Sequence, residues 1–179
     1  MNPQAWALVR HGETEWNRTS RLQGRADIPL NATGRAQALA TAEALAESGP
    51  WDLVVSSTLG RARETARIIA RRLGTGAVVE VPALVERDYG PEEGTGVAGL
   101  SERAKTELMD AGESSASVVL RGTAALTGLA SAHAGRRLVV VRHGTLIRLV
   151  LSSLHGVDHP RVENGEVVEL GAHLLQGTR

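Results

Sequence analysis

The sequence predicts an α/β fold: a three-layer sandwich in a single domain, residues 1–179, with a mostly parallel sheet and helices on both faces. Three observations predict it. Strand-like apolar runs alternate along the chain with longer segments of helical periodicity, the pattern of parallel βαβ units. A chain of 179 residues, 42% hydrophobic and 22% charged, has the length and composition of one globular domain with a sizeable core. Two apolar runs far apart in the chain, residues 5–9 and 138–141, end in the same tripeptide, Arg10-His11-Gly12 and Arg142-His143-Gly144.

Each element has its own warrant. Residues 5–9 are the first strand. Residues 18–32 are polar and turn-rich, with Gly24, Pro29 and Asn31, and read as a loop. Asn31 or Thr33 caps a helix that runs to Ser48 and is stopped by Gly49-Pro50. Residues 53–55 are a second strand. Residues 58–73 form the clearest helix, because Leu59, Ala62, Ala66, Ile69, Ala70 and Leu73 share one stripe and Gly74 ends it. Residues 78–81 are a third strand, continuing extended over 82–86. Residues 87–100 hold five glycines or prolines and read as a long loop over one end of the sheet. Helices follow over 101–111 and 115–133, the second weakened by Gly122 and Gly128. Residues 138–141 are the next strand, 145–154 a helix, and 167–170 a last strand at the sheet edge.

Composition narrows the function. Aromatic residues are scarce (three Trp, one Tyr, no Phe), so the core is aliphatic and base-stacking platforms are lacking. The formal net charge is zero, which gives no global field to attract nucleic acid or an acidic membrane. All but one of the 20 basic residues are arginine, the exception being Lys105, and the planar guanidinium suits phosphate oxygens. The absence of cysteine removes disulfides, thiol nucleophiles and thiolate metal sites. With no signal-like leader and no apolar run near ~20 residues, a cytoplasmic protein is expected.

The candidate site follows from topology. Ligands of an open α/β sheet bind beyond the carboxyl ends of the strands. Arg10 and His11 follow the first strand, Arg61 lies in the first turn after the second, Glu86 follows the third, and His143 follows the late one. Two imidazoles, two guanidiniums and a carboxyl on one rim suit a phosphate. Gly12 and Gly144 stand near helix starts, where free N–H groups favour an anion. Arg142 is expected to point away from His143, since side chains alternate along a strand. His155 and His159 have the spacing of a metal pair, but Gly156 and Pro160 break the helix such a pair needs. No metal and no cofactor are expected.

The run Leu8-Val9-Arg10-His11-Gly12-Glu13-Thr14-Glu15-Trp16-Asn17, followed by Arg21-Leu22-Gln23-Gly24-Arg25 and Pro29-Leu30, resembles the signature of the histidine phosphatase superfamily, in its phosphoglycerate mutase-like branch. Ser56-Ser57, Arg61-Ala62 and Glu64-Thr65-Ala66 resemble its second block, residues 84–90 the segment carrying its acid, and residues 141–148 its second-histidine block. The resemblance implies a phosphoglycerate mutase-like fold in which His11 is the nucleophile, Glu86 the general acid, and His143, Arg10 and Arg61 grip the phosphoryl oxygens. It adds Asn17, Gln23, Gly24 and Thr145 as substrate contacts. The chain departs from the pattern at Arg142, where a small residue is usual, at Glu92-Glu93-Gly94, where many members carry Trp-Glu-Gly, and at Thr145, where glycine is common.

The chemistry expected is metal-independent hydrolysis of a small phosphomonoester through a covalent phosphohistidine. A mutase, moving the phosphoryl group between hydroxyls, shares that intermediate. It would want extra basic residues after the acid, and residues 87–141 offer few: Arg87, Arg103, Lys105, Arg121, Arg136 and Arg137. A non-catalytic phosphate-binding domain is the third reading, and the two histidines together with the acid argue against it.

Overall fold

The computed structural model describes residues 5–175; the outermost residues of the expected 1–179 domain, 1–4 and 176–179, lie outside it. Five strands form one sheet: β1 (Ala5–Arg10), β2 (Leu53–Ser56), β3 (Val79–Glu80), β4 (Leu138–Arg142) and β5 (Val167–Gly171). Their order is β3-β2-β4-β1-β5. All neighbours are parallel except β5, which pairs antiparallel with β1 at the edge. The helices are α1 (Glu15–Arg18), α2 (Ala32–Glu47), α3 (Gly60–Leu73), α4 (Glu102–Asp110), α5 (Ser115–Ala132) and α6 (Gly144–His155). Among the described residues no helix is long and apolar enough to cross a membrane.

Period-two alternation splits the core into two layers. Trp6, Leu8, Val55, Leu138 and Val140 pack with Val118, Leu126, Leu146 and Ile147 of α5 and α6. Ala7, Val9, Val54, Val139 and Val141 pack with Ala42 and Leu45 of α2 and with Ala62, Ala66 and Ile69 of α3. The helix–sheet–helix sandwich is the expected fold class. Caps set the start of α2 and the end of α3: Asn31 Oδ1 accepts the Gly34 N–H at the start of α2, and Gly74, at φ +69°, closes α3.

One local expectation is corrected. Residues 82–84 form a 3-10 turn rather than extended chain, because Pro82 fits a first helical position and Val85 N–H bonds back to the Pro82 carbonyl. The helix start expected after Gly12 is that of α1, a short helix fixed by a capping box in which Thr14 and Asn17 exchange side-chain and backbone bonds. Of the two histidines four apart, His155 is the last residue of α6 and His159 lies past the left-handed Gly156, so no single helix presents both.

β1 delivers its tripeptide under the start of α2 through a glycine contact. A Cβ on Gly12 would lie 2.2 Å from the Gly34 carbonyl oxygen, and one on Gly34 would lie 2.1 Å from the Glu13 carbonyl oxygen. Only two glycines let the backbones approach so closely. Gly34→Ala is therefore expected to cost roughly 1–3 kcal/mol by overpacking. Gly128→Ala, on the exposed side of α5 with nothing within 4 Å of a new Cβ, should instead stabilise by about 0.5–1 kcal/mol. Urea denaturation of the two variants measures both, and equal effects would contradict the contact argument.

Candidate active site

The carboxyl ends of β1, β2 and β4 meet at one place, and backbone bonds hold them in register. His11 N–H donates to the Arg142 carbonyl at 3.0 Å and Ser57 N–H to the Val141 carbonyl at 3.2 Å. The two tripeptides thus lie side by side, with the His11 and His143 ring centroids 5.1 Å apart and the rings tilted by 60°. His11 is 2% exposed, and His143 and Arg61 are fully buried.

Each ring is fixed differently. His11 Nδ1 lies 2.7 Å from the carbonyl oxygen of Gly12, which can only accept, so Nδ1 carries the proton and Nε2 is bare. Arg61 Nε–H donates to that bare Nε2 at 3.1 Å. Burial, then Arg61, then Arg10 hold His11 well below the usual imidazole pKa, against a smaller opposing pull from the Gly12 carbonyl. His143 Nε2 lies 2.7 Å from Ser57 Oγ, and its Nδ1 is buried without a partner. Burial first, then Arg61, His11, Arg10 and Arg121, hold its pKa well down too.

The cations are anchored on main-chain oxygens. Arg61, from the first turn of α3, bonds the Gly24 and Ala26 carbonyls, each at 2.7 Å, and burial lowers its pKa to about 10. Arg10 bonds the Val162 carbonyl at 2.7 Å, and its Nε is buried with no partner. Glu86 caps the start of α6: its carboxylate accepts from the backbone N–H groups of Thr145, Leu146 and Arg87, at 2.9 to 3.1 Å. A carboxylate at a helix N-terminus is electrostatically well placed.

Five expected residues, Arg10, His11, Arg61, Glu86 and His143, are therefore brought together. The other expected contacts are nearby but largely committed to the protein. Asn17 Oδ1 receives the Thr14 and Asn164 donors. Gln23 Oε1 accepts from the Thr14 hydroxyl. Gly24, at φ +52°, offers its carbonyl to Arg61, and a Cβ there would strike Glu93 Oε1 at 2.0 Å. Thr145 Oγ1 is 2.8 Å from the Tyr89 hydroxyl. Arg142 follows the strand alternation onto the α5 and α6 side, where it is fully buried and none of its three guanidinium nitrogens finds a partner among the described residues. Burial lowers its pKa to about 9, opposed by the charge of Glu86.

Some residues that shape the site had no individual signal in the sequence. Ser57 holds His143, and Thr65 Oγ1 accepts the Gly12 N–H at 3.2 Å. Asn164 Nδ2 donates to the His11 carbonyl at 3.0 Å. Glu93 ties the Arg25 and Ala26 N–H groups to the loop that carries Tyr89. Two hollows of about 270 and 320 Å³ lie at the amino ends of the strands, beside Trp6 and Trp51, away from this chemistry.

Residues 6–176 match the histidine phosphatase superfamily (branch 1). A Bacillus subtilis (strain 168) relative described as uncharacterized phosphatase PhoE is 36% identical over 164 residues, spanning 92% of this chain and 83% of that protein. A metal-independent phosphoserine phosphatase of Arabidopsis thaliana is 37% identical over 155 residues, 80% of this chain and 65% of its own length. Among solved structures, a mycobacterial glucosyl-3-phosphoglycerate phosphatase with VO3 superimposes with a TM-score of 0.82 at 29% identity, covering 93% and 92% of the two chains. Phosphoserine phosphatase from Entamoeba histolytica, as a mutant with phosphoserine, gives 0.80 at 26% identity, covering 92% and 89%.

The two buried imidazoles make stability depend on pH. Above the unfolded histidine value of about 6.5, folded and unfolded chains both hold neutral rings and nothing is lost. Below it the unfolded chain takes up protons that the folded chain refuses, because both folded values are lowered. Stability should fall by about 1.4 kcal/mol per pH unit for each ring in that window. Chemical denaturation between pH 7 and pH 5 should show a flatter profile for His11→Gln/His143→Gln than for wild type. Parallel profiles would refute the assignment of neutral rings.

Proposed function

The chain belongs to the histidine phosphatase superfamily, branch 1, and on that premise we propose that it hydrolyses small phosphomonoesters through a phosphohistidine formed on His11. One observation carries the reading: the paired imidazoles, with a bare Nε2 on His11 and buried guanidiniums beside it. A phosphate monoester is anionic, and a neutral nitrogen approaches it without the repulsion an anionic nucleophile meets. The Nε2 lone pair attacks phosphorus in line, and the bond to the leaving oxygen breaks. Glu86, which must enter the cycle carrying a proton, gives it to that oxygen. Water then attacks the phosphohistidine, Glu86 takes the water proton, and the N–P electron pair returns to Nε2.

Arg10, Arg61 and His143 stabilise the equatorial oxygens during both transfers. Their donors are held in advance by protein carbonyls and by Ser57, so little reorganisation is needed as charge moves. Asn17, Gln23 and Gly24 frame the same group, and Thr145 lies beside Glu86 at the start of α6. The relatives described as phosphatases of phosphoserine and glucosyl-3-phosphoglycerate support a small phosphorylated substrate. The cytoplasmic setting belongs to the same proposal.

Hydrolysis is favoured over a mutase reaction by the placement of the basic residues after Glu86. Arg87 is held by the Glu113 carbonyl and Asp110, and Arg121 by Glu113 and three carbonyls. Arg103 and Lys105 pair within α4 with Glu107 and Glu102. Arg136 and Arg137 precede β4, at the far end of the sheet. Four of these charges are committed to partners within the protein and two lie at the far end of the sheet, which supports hydrolysis.

Turnover of p-nitrophenyl phosphate should persist with chelator present and vanish in His11→Ala. Arg61→Ala should lose about 10²–10³ in rate. Glu86→Gln should slow alkyl phosphates by roughly 10²–10⁴ and p-nitrophenyl phosphate less, since its leaving group needs little protonation. Conversion between phosphoglycerate isomers without release of phosphate would establish the mutase instead. Absence of turnover across a panel including phosphoserine and glucosyl-3-phosphoglycerate would leave only phosphate binding.

A further inference from the structure

We propose that Ser57 fixes His143 as its Nδ1–H tautomer, so that the second imidazole meets the phosphoryl group as an uncharged hydrogen-bond donor. The inference deepens the phosphatase reading and rests on it for its functional half.

The tautomer follows from counting hydrogens on Ser57. A hydroxyl has one hydrogen and two lone pairs. The Leu59 N–H points at Ser57 Oγ from 3.4 Å and can only donate. The one other partner found for Ser57 Oγ among the described residues is His143 Nε2, at 2.7 Å. Ser57 is fully buried. Were Nε2 protonated, it would donate to Ser57, and two groups would be left unpaired in the protein interior, the hydroxyl hydrogen and the Nδ1 lone pair. The other tautomer leaves only the Nδ1–H, and buried polar groups are seldom left unpaired. With Nε2 bare, the hydroxyl donates to it, every Ser57 group is satisfied, and the single proton of a neutral ring sits on Nδ1.

That assignment also explains the unpartnered nitrogen. His143 Nδ1 is buried, is the ring nitrogen not facing Ser57, and finds no partner among the described residues. An N–H there is a donor held ready for an acceptor brought by the ligand. The charges that act on the ring are those of Arg10 on β1, Arg61 on α3, Arg121 on α5, and His11 itself. All are cations or can become one, so the neutral state of His143 is favoured from each side.

The two tripeptides then differ in role although both rings are the same tautomer. His11 turns its Nδ1–H to the Gly12 carbonyl and presents a lone pair. His143 turns its lone pair to Ser57 and presents an N–H. One ring attacks phosphorus while the other takes an equatorial oxygen. Ser57 is a positioning residue in this scheme, acting through His143 without touching substrate.

The test reads the tautomer directly. Wild-type protein labelled with ¹⁵N-histidine gives long-range ¹H–¹⁵N correlations, and His143→Asn identifies which ring is His143. A protonated Nδ1 and a bare Nε2 are expected; a protonated Nε2 overturns the proposal. Ser57→Ala should leave the ring free to mix tautomers and lower kcat by about 10- to 100-fold, with KM little changed. Ser57→Thr, which keeps the hydroxyl, should recover most of that loss. A Ser57→Ala protein that melts like wild type and keeps full kcat also overturns it. The two failures are separable. A wild type with the Nδ1–H signal but no turnover contradicts the phosphatase reading alone; turnover with an Nε2–H signal contradicts the tautomer alone.

Discussion

Positive charge is buried here in excess of its counter-charge, and the rest of the site is arranged around that constraint. Arg10, Arg61 and Arg142 are nearly or fully removed from water, and Glu86 is the carboxylate whose charge acts on all three. Burying unpaired charge is costly. Main-chain oxygens of Val162, Gly24 and Ala26 offset part of the cost for Arg10 and Arg61. The imidazoles respond by staying neutral. What remains unsatisfied is a place for an anion, and in the proposed reaction a phosphoryl group supplies the missing negative charge in the middle of the cluster. Stability is given up to pre-form the hole the reaction needs.

The parallel sheet is what makes such a hole affordable. β1, β2 and β4 are adjacent and end together, so residues more than a hundred positions apart share one rim without any loop having to reach. The Gly12 and Gly34 contact sets the height of the first tripeptide against α2. The carboxylate of Glu86, bonded to the first turn of α6, ties the acid segment to the second tripeptide. Rigid strand ends and helix starts, rather than mobile loops, therefore carry the reacting groups.

Much of this was legible in the sequence because strand ends are. Apolar runs located β1, β2 and β4, and the residues just past them formed the cluster. Helix α3 was readable from its stripe, and its first turn from Arg61. Of the short α1 only the start after Gly12 was legible, since four residues show no periodicity and its capping box lay inside a motif read for its chemistry. The turn at residues 82–84 looked extended because β-branched residues and a proline precede Glu86. Ser57, Thr65 and Asn164 escaped for a different reason: their importance lies in partners far along the chain, as when Asn164 reaches back to the His11 carbonyl. Composition and spacing carry no trace of such contacts. The orientation of Arg142 followed from simple alternation, but its lack of any hydrogen-bond partner could be seen only in three dimensions.

The bond from Arg61 Nε–H to His11 Nε2 has a consequence for selectivity. In the resting protein the Nε2 lone pair already accepts an N–H from a guanidinium whose other nitrogens are anchored on carbonyls. In the proposed reaction an incoming anion offers that same N–H a second acceptor, which a neutral alkylating or acylating reagent does not. Recognition of the anion and release of the lone pair would then fall on one side chain.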